Sequence, residues 1–242
     1  MSDESQPGFP GGTAVSRLQV YDWPAEDGRR GGSPHVHLAS TEAYLVVEGE
    51  GELHTLTTQG LQITALRPGT VAWFAPGTIH RAVSTSGALR AAVVMQNCGL
   101  AEAGDAVLTF PEEILQDPGA YAAAAAPPVG AGAARHRRDL AVRGFRRLVH
   151  QVAAGDTEAL SNFYRRAVAL CADRLEEWQN TWRHGPKAAA LQTGDHLAEL
   201  RDGRIGHLLE ATVQVRQAPP DAERHYGMCG LLDSYDLSPT TP

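Results

Sequence analysis

Between Gly31 and Gly51 the chain reads GGSPHVHLASTEAYLVVEGEG, placing His35 and His37 one residue apart and Glu42 shortly after them. In an extended strand alternate side chains share a face, so the two imidazoles point the same way. Glu42 opens the apolar run after the short LAST turn, where the chain has reversed toward the histidines. A second stretch, RPGTVAWFAPGTIHRAV, adds another donor. Gly69 turns into a strand, Pro76-Gly77 makes a second turn, and His80 opens the strand that follows. His35, His37, Glu42 and His80 together offer three nitrogens and one oxygen to a divalent transition metal such as Fe, Mn, Ni, Co or Zn. Such a shell leaves two positions of an octahedron open, where a substrate or dioxygen can bind directly. Surface histidines on polar turns would explain one His-x-His pair. Four donors at these spacings favour the metal.

The elements that must position these donors read as strands. AVSRLQVYDW (14–23), EAYLVVEG (42–49), GELHTLTT (51–58), LQITAL (61–66), TVAWFA (70–75), HRAVST (80–85) and LRAAVVMQNC (89–98) are short, β-rich and separated by Gly, Pro and polar turns. Close spacing of such runs, with hardly any helical period, predicts a mainly β sandwich or barrel.

These segments resemble the two motifs of the cupin family. The first is a Gly followed by His-x-His, a Glu after a short spacer, and a Gly after six intervening residues: His35-Val36-His37, Glu42 and Gly49. The second is a Gly and then Pro-x-Gly-x-x-His: Gly69, followed by Ala75-Pro76-Gly77-Thr78-Ile79-His80. Two positions depart from the pattern, Ala75 in place of a proline and Ser84 in place of a frequent asparagine; these bear on one turn and one supporting hydrogen bond. The resemblance covers about residues 14–98. It implies an antiparallel jelly-roll barrel with a divalent metal held inside by His35, His37, Glu42 and His80.

With Glu42 facing inward, the period of two turns Tyr44 and Val46 inward as well. The Tyr44 hydroxyl could donate a hydrogen bond to a bound oxygen or act as a general acid; an amphipathic core tyrosine is the other reading. One of Trp73 and Phe74 faces the cavity, and so does one of Met95 and Gln96. Tyr44, Trp73 and Gln96 are the candidates for contact with a substrate.

The rest of the chain divides by pattern. Residues 1–100 make the barrel, and 101–134, rich in Ala, Gly and Pro, read as a linker. Residues 135–194 form an α-helical hairpin, and 195–242 a C-terminal β-segment that packs on the barrel or on a partner chain. RDLAVRGFRRLVHQVA has helical spacing, and a second helix runs from Leu160 through Trp182 to Gly185-Pro186. LAEL and IGHLLEATVQVR read as strands flanking an Asp202-Gly203 turn, with a breaker at 218–223 beyond them. The arginines at 135, 137, 138, 143, 146 and 147 fit the solvated face of an amphipathic helix paired with acids elsewhere.

Composition limits the function. The 242 residues are 43% hydrophobic and 20% charged, a globular balance. A net charge of −7 argues against a nucleic-acid or anionic-membrane binder. No apolar run approaches the roughly 20 residues needed to cross a bilayer. The start, MSDESQPGFPGG, lacks a secretory pattern, and three widely spaced cysteines suit a reducing cytoplasm. The expected function is therefore a metal-dependent enzyme of dioxygenase or isomerase type acting on a small organic molecule. The alternatives are a small-metabolite-binding module without turnover and a barrel whose metal is structural. A homodimer is expected, because barrels of this size leave a sheet face or edge to cover.

Overall fold

The computed structural model describes residues 8–218, 220, 224–235 and 237. The acidic start and most of the breaker at 218–223 lie outside them. Eleven strands form among the described residues: β1 (Ala14–Val20), β2 (His35–His37), β3 (Glu42–Glu48), β4 (Gly51–Thr57), β5 (Gly60–Leu66), β6 (Val71–Phe74), β7 (Ile79–Ser84), β8 (Arg90–Met95), β9 (Ala106–Leu108), β10 (His225–Tyr226) and β11 (Gly230–Ser234). They build two sheets, ordered β10-β11-β1-β8-β3-β6 and β5-β4-β7-β2-β9. Every pairing is antiparallel. The expected mainly β jelly-roll barrel is present.

Alternation along the strands separates two apolar cores. Leu18, Val20, Tyr44, Val46, Leu53, Phe74, Ala82, Val93 and Met95 meet between the sheets. On the outer side of the second sheet, Val36, Leu56, Ile79 and Val107 pack against helical residues including Ala141, Phe145, Phe163, Ala167 and Trp178. At roughly 25 cal/mol per Å² of apolar surface, this second core ties the helices to the strands that carry the histidines.

The first hundred residues do not complete the barrel. β9 and the β10–β11 hairpin extend the two sheets from far along the chain, with β11 pairing β1 from Ser16↔Ser234 to Val20↔Gly230. The stretch 101–134 is also more ordered than a linker. α1 (Glu112–Leu115) and α2 (Pro118–Ala125) follow β9, and α3 (Gly130–Ala153) starts before Ala134. The alanine run YAAAA is a strong helix former. Asp117 caps it by accepting from the amides of Gly119 and Ala120, with Pro118 at the first helical position.

The helical part is a series rather than a hairpin. The expected helix through Trp182 is interrupted at Cys171, giving α4 (Ala159–Leu170) and α5 (Leu175–Trp182) with a 3₁₀ turn between them. The bend lets both halves reach the second core, and the Trp178 indole N–H donates to the Ala103 carbonyl at 2.8 Å. Gly185-Pro186 does not stop the chain. A π-helical turn at Arg183–Lys187 accommodates the proline, and α6 (Ala188–Arg201) continues. LAEL is therefore helical, α7 (Gly206–Leu209) follows, and residues 210–218 form no strand. With no sheet edge beside them, local helical preference decides.

Two of the six clustered arginines are buried. Arg138 donates to the carbonyls of Trp23 and Pro24, and Arg137 to those of Tyr226 and Gly227. Arg143 and Arg147 pair with Glu26 and Glu113 on the surface. Among the described residues no helix is long and apolar enough to cross a membrane.

Helix α3 sits so close to the sheet that a Cβ on Gly144 would strike the Thr109 carbonyl and the Phe110 backbone. Gly→Ala within a helix normally gains about 0.5–1 kcal/mol, whereas overpacking costs about 1–3 kcal/mol. Here backbone stands on the far side and cannot yield like a side-chain tip. Gly144→Ala should therefore lower the unfolding free energy by about 1–2 kcal/mol in urea denaturation, and a stabilised variant would contradict this packing.

Candidate metal centre

Strand β2 sends His35 and His37 between the sheets and Val36 outward against the helices. β7 pairs directly with β2, with His35 opposite His80 and their ring centroids 4.2 Å apart. Glu42 comes from the facing sheet, at the start of β3, between Phe74 on β6 and Met95 on β8. One donor atom from each of His35, His37, Glu42 and His80 lies within 4.8 Å of the others, and all four residues are buried. Both motif halves thus converge.

Glu42 Oε2 stands 3.2 Å from His37 Nε2 and 3.0 Å from His80 Nε2. Yet neither Glu42 Oε2 nor His80 Nε2 has a hydrogen bond of acceptable geometry. A buried polar atom left unpaired costs about 1–3 kcal/mol. A cation at the common focus would satisfy both atoms at once, so the residues fit a divalent metal.

Two of the three outer ring nitrogens are already committed. His35 Nδ1 donates to the Ser33 carbonyl at 2.9 Å, and His80 Nδ1 to the Thr78 carbonyl at 3.1 Å. Each bond holds the proton on Nδ1 and leaves Nε2 as the lone-pair donor. His37 Nδ1 faces Asp105 Oδ2 at 3.6 Å, a charge contact longer than a hydrogen bond. Asp105 is itself fixed, because its Oδ1 accepts the amides of Leu38 and Ala39 at 2.8 Å each.

Electrostatics follow this geometry. Burial, reinforced by His80 and His37, holds His35 well below its ordinary pKa. Burial also opposes charge on His37, but Asp105 and Glu42 outweigh it and raise the group to about 9. Burial alone would raise Glu42; the neighbouring His80 and His37 reverse that and hold it well below the usual carboxylate range. The site is built to keep a carboxylate ionised where water is scarce.

The turn before His80 is held from both sides. Gly77, at φ +86°, donates its amide to the His37 carbonyl at 2.9 Å. Its own carbonyl accepts the Tyr164 hydroxyl of α4 at 2.6 Å. Only a residue tolerant of positive φ suits that position. Ala75 still accepts the turn bond from Thr78, so the missing proline leaves the turn formed. Ser84 Oγ accepts from the amides of Gly87 and Leu89.

Around the centre, Tyr44 is fully buried and faces inward as expected, edge-on to Phe74. Trp73 does not line the cavity. It is 72% exposed, because Phe74 takes the inward phase opposite Glu42. Gln96 is also exposed, with its Oε1 accepting the Thr41 amide, and Met95 faces inward instead. Arg81, fully buried on the outer face of β7, is held by the Gly32 carbonyl and Asp27. Four neighbours were not among the candidate site residues read from the sequence: Phe74, Met95, Asp105 and Cys229. For Asp105 the only sequence signal is an acid opening the apolar run DAVLTF; for Cys229 there is none, since it arrives through tertiary pairing.

No protein-family model matches the chain, and no curated protein matches it. Solved structures with similarity include an uncharacterized conserved protein with a double-stranded beta-helix domain from Klebsiella pneumoniae (20% identity, TM-score 0.30, covering 40% of this chain and 80% of that one). A predicted oxalate decarboxylase from Thermotoga maritima gives 20% identity and a TM-score of 0.28, over 34% of this chain and 64% of that one. A DMSP lyase from Ruegeria pomeroyi gives 24% and 0.31, over 41% and 45%. The chain thus spans less than two thirds of the length of the last two. Likeness at this level carries no argument, and the fold rests on the strand order above.

The inward and outward phases of β6 make a direct contrast. Phe74→Ala should cost about 3–5 kcal/mol in urea unfolding, as for a buried ring, while Trp73→Ala, read at a protein concentration where the chain is monomeric, should stay within about 0.5 kcal/mol. Equal costs would mean that the strand register is wrong.

Proposed function

We propose that the protein is a metal-dependent enzyme of dioxygenase or isomerase type, acting on a small organic molecule through His35, His37, Glu42 and His80. The observation that carries this reading is the pair of buried, unpartnered atoms, Glu42 Oε2 and His80 Nε2, 3.0 Å apart. A bound divalent metal supplies Lewis acidity for an oxygen-bearing ligand at its open positions. The chain's own residues provide the remainder. Phe74 and Met95 flank Glu42 and, with Tyr44, present an uncharged wall that suits a compact, largely apolar substrate. The Tyr44 hydroxyl, kept protonated by burial first and then by Cys229 and Glu42, can hold a hydrogen bond to a substrate oxygen or transfer its proton there. Asp105 orients His37 from behind.

The net charge of −7 supports a small-molecule ligand over a nucleic acid, and three widely spaced cysteines accord with a reducing compartment such as the cytoplasm. The proposal includes a homodimer. Leu45, Val47, Val71, Trp73 and Val94 leave an exposed apolar outer face on β3, β6 and β8, the kind of patch a second copy covers. Light scattering should give about twice the chain mass; one chain mass removes the dimer.

Elemental analysis of purified protein should find a stoichiometric divalent metal, abolished in His80→Ala. Asp105→Asn should weaken metal affinity by about 10–100-fold. Iron-loaded protein should then consume oxygen with a diketone, catechol or flavonol, or isomerise a keto sugar without oxygen use. Metal-free wild-type protein would sink the proposal, and ligand-induced melting shifts without turnover would reduce it to a binding module.

A further inference from the structure

We infer that the cleft between α1, α3 and α4 is a second ligand site, one that takes a small monoanionic carboxylate with an apolar body. It lies on the helical side of the second sheet, whereas His35 and His37 face the opposite side, so the inference stands apart from the metal reading. It also gives the arginine-rich face of α3 a role beyond its surface pairs.

The cleft encloses about 690 Å³, within the roughly 300–1,000 Å³ of small-molecule sites. Its floor is apolar. Phe110, Leu115, Leu148 and Phe163 line it, and all four belong to the outer core. Packing fixes their places: Leu148 comes from α3, Phe163 from α4 and Leu115 from the end of α1, while Phe110 follows β9. A guest with an apolar body seated here extends a core that already exists.

Above that floor the lining carries Arg143, Arg146, Arg147 and Arg166, with His150 one turn beyond Arg146. Three of the guanidiniums are engaged at the rim: Arg143 with Glu26, Arg147 with Glu113 at 3.2 Å, and Arg166 with Glu112 at 2.6 Å. All three pairs are open to solvent, and such pairs hold an arginine only weakly. Arg146 is different. It makes no hydrogen bond or ion pair with any described residue, and Glu26, whose charge reaches it, is already bound by Arg143. A guanidinium with its donors unused beside an apolar floor is an anchor for a carboxylate, which it can hold through two parallel N–H···O bonds. The acids of the lining set the charge of the guest. Asp156 accepts from the amides of Glu158 and Ala159 at the start of α4, and Glu112 accepts from Arg166 and Gln116. Their charges leave room for one negative group beside Arg146 and disfavour a doubly charged phosphate.

The test is calorimetric titration of full-length protein with 2-naphthoate and with its neutral counterpart, 2-naphthalenemethanol. Wild type should bind one naphthoate per chain, and the alcohol at least about tenfold more weakly, the loss expected when a charged hydrogen-bond partner is removed. Arg146→Glu, at an exposed position, should raise the naphthoate Kd by at least about tenfold. Arg146→Lys should fall between the two, since it keeps the charge and loses the paired geometry. Asn162→Trp, which fills the cleft from α4, should abolish binding, and His80→Ala should leave the Kd unchanged. No uptake by wild type, equal affinity for acid and alcohol, or an unchanged Kd in Arg146→Glu and Asn162→Trp would overturn the inference while leaving the metal reading in place. Binding that survives Arg146→Glu but disappears in His80→Ala would overturn it too, because the carboxylate would then sit on the metal.

Discussion

Four polar side chains pointing at one another inside an apolar barrel are a standing cost, and most of the fold can be understood as holding them there. Glu42 is buried and ionised, and its Oε2 meets two imidazole nitrogens without a proper hydrogen bond. Unpaired buried atoms normally relax toward water or a new partner. Here they cannot, because each ring is fastened from behind: His35 by the Ser33 carbonyl, His80 by the Thr78 carbonyl, and His37 by the charge of Asp105. The orientation of the donors is set before any ion arrives, which is the arrangement that gives a metal its affinity.

The two sheets serve that focus through register. His35 stands opposite His80 in one sheet, and Glu42 stands between Phe74 and Met95 in the other. A slip of one residue in β2 would turn both histidines toward the helices and Val36 into the cavity. The outer core of Val36, Leu56, Ile79 and Val107 under α3, α4 and α5 opposes such a slip, since burying those side chains requires the present phase. Stability of the helical layer and geometry of the site are thus one constraint. Tyr164 adds a direct tie, reaching from α4 to the turn that launches His80.

The late part of the chain is joined to the same centre. β11 extends the sheet that contains Glu42, and the preceding loop is clamped by Tyr21, Ser33 and Arg137. The buried arginines of α3 bond to backbone carbonyls of residues 23–24 and 226–227, so a run of charge that reads as a solvated face also bolts two distant segments together. Charge patterning alone cannot reveal this, because a guanidinium looks the same whether its acceptor is water or a carbonyl.

What the sequence determined by itself is local. The period of two along HVH and EAYLVVE puts His35, His37, Glu42 and Tyr44 on the inner face, and the motif spacing marks His80 as their companion. The strands of the first hundred residues and the helical phase of α3 follow from the same short-range rules. Where parity was ambiguous, at Trp73-Phe74 and Met95-Gln96, only the pairing partners of β6 and β8 chose the inward residue. The bend at Cys171 and the helical path past Pro186 also depended on what lay alongside. Asp105 and Cys229 entered the site through contacts across 68 and 185 positions of chain. Such contacts leave no periodic trace, because the forces that select them act between surfaces that exist only once the chain has folded.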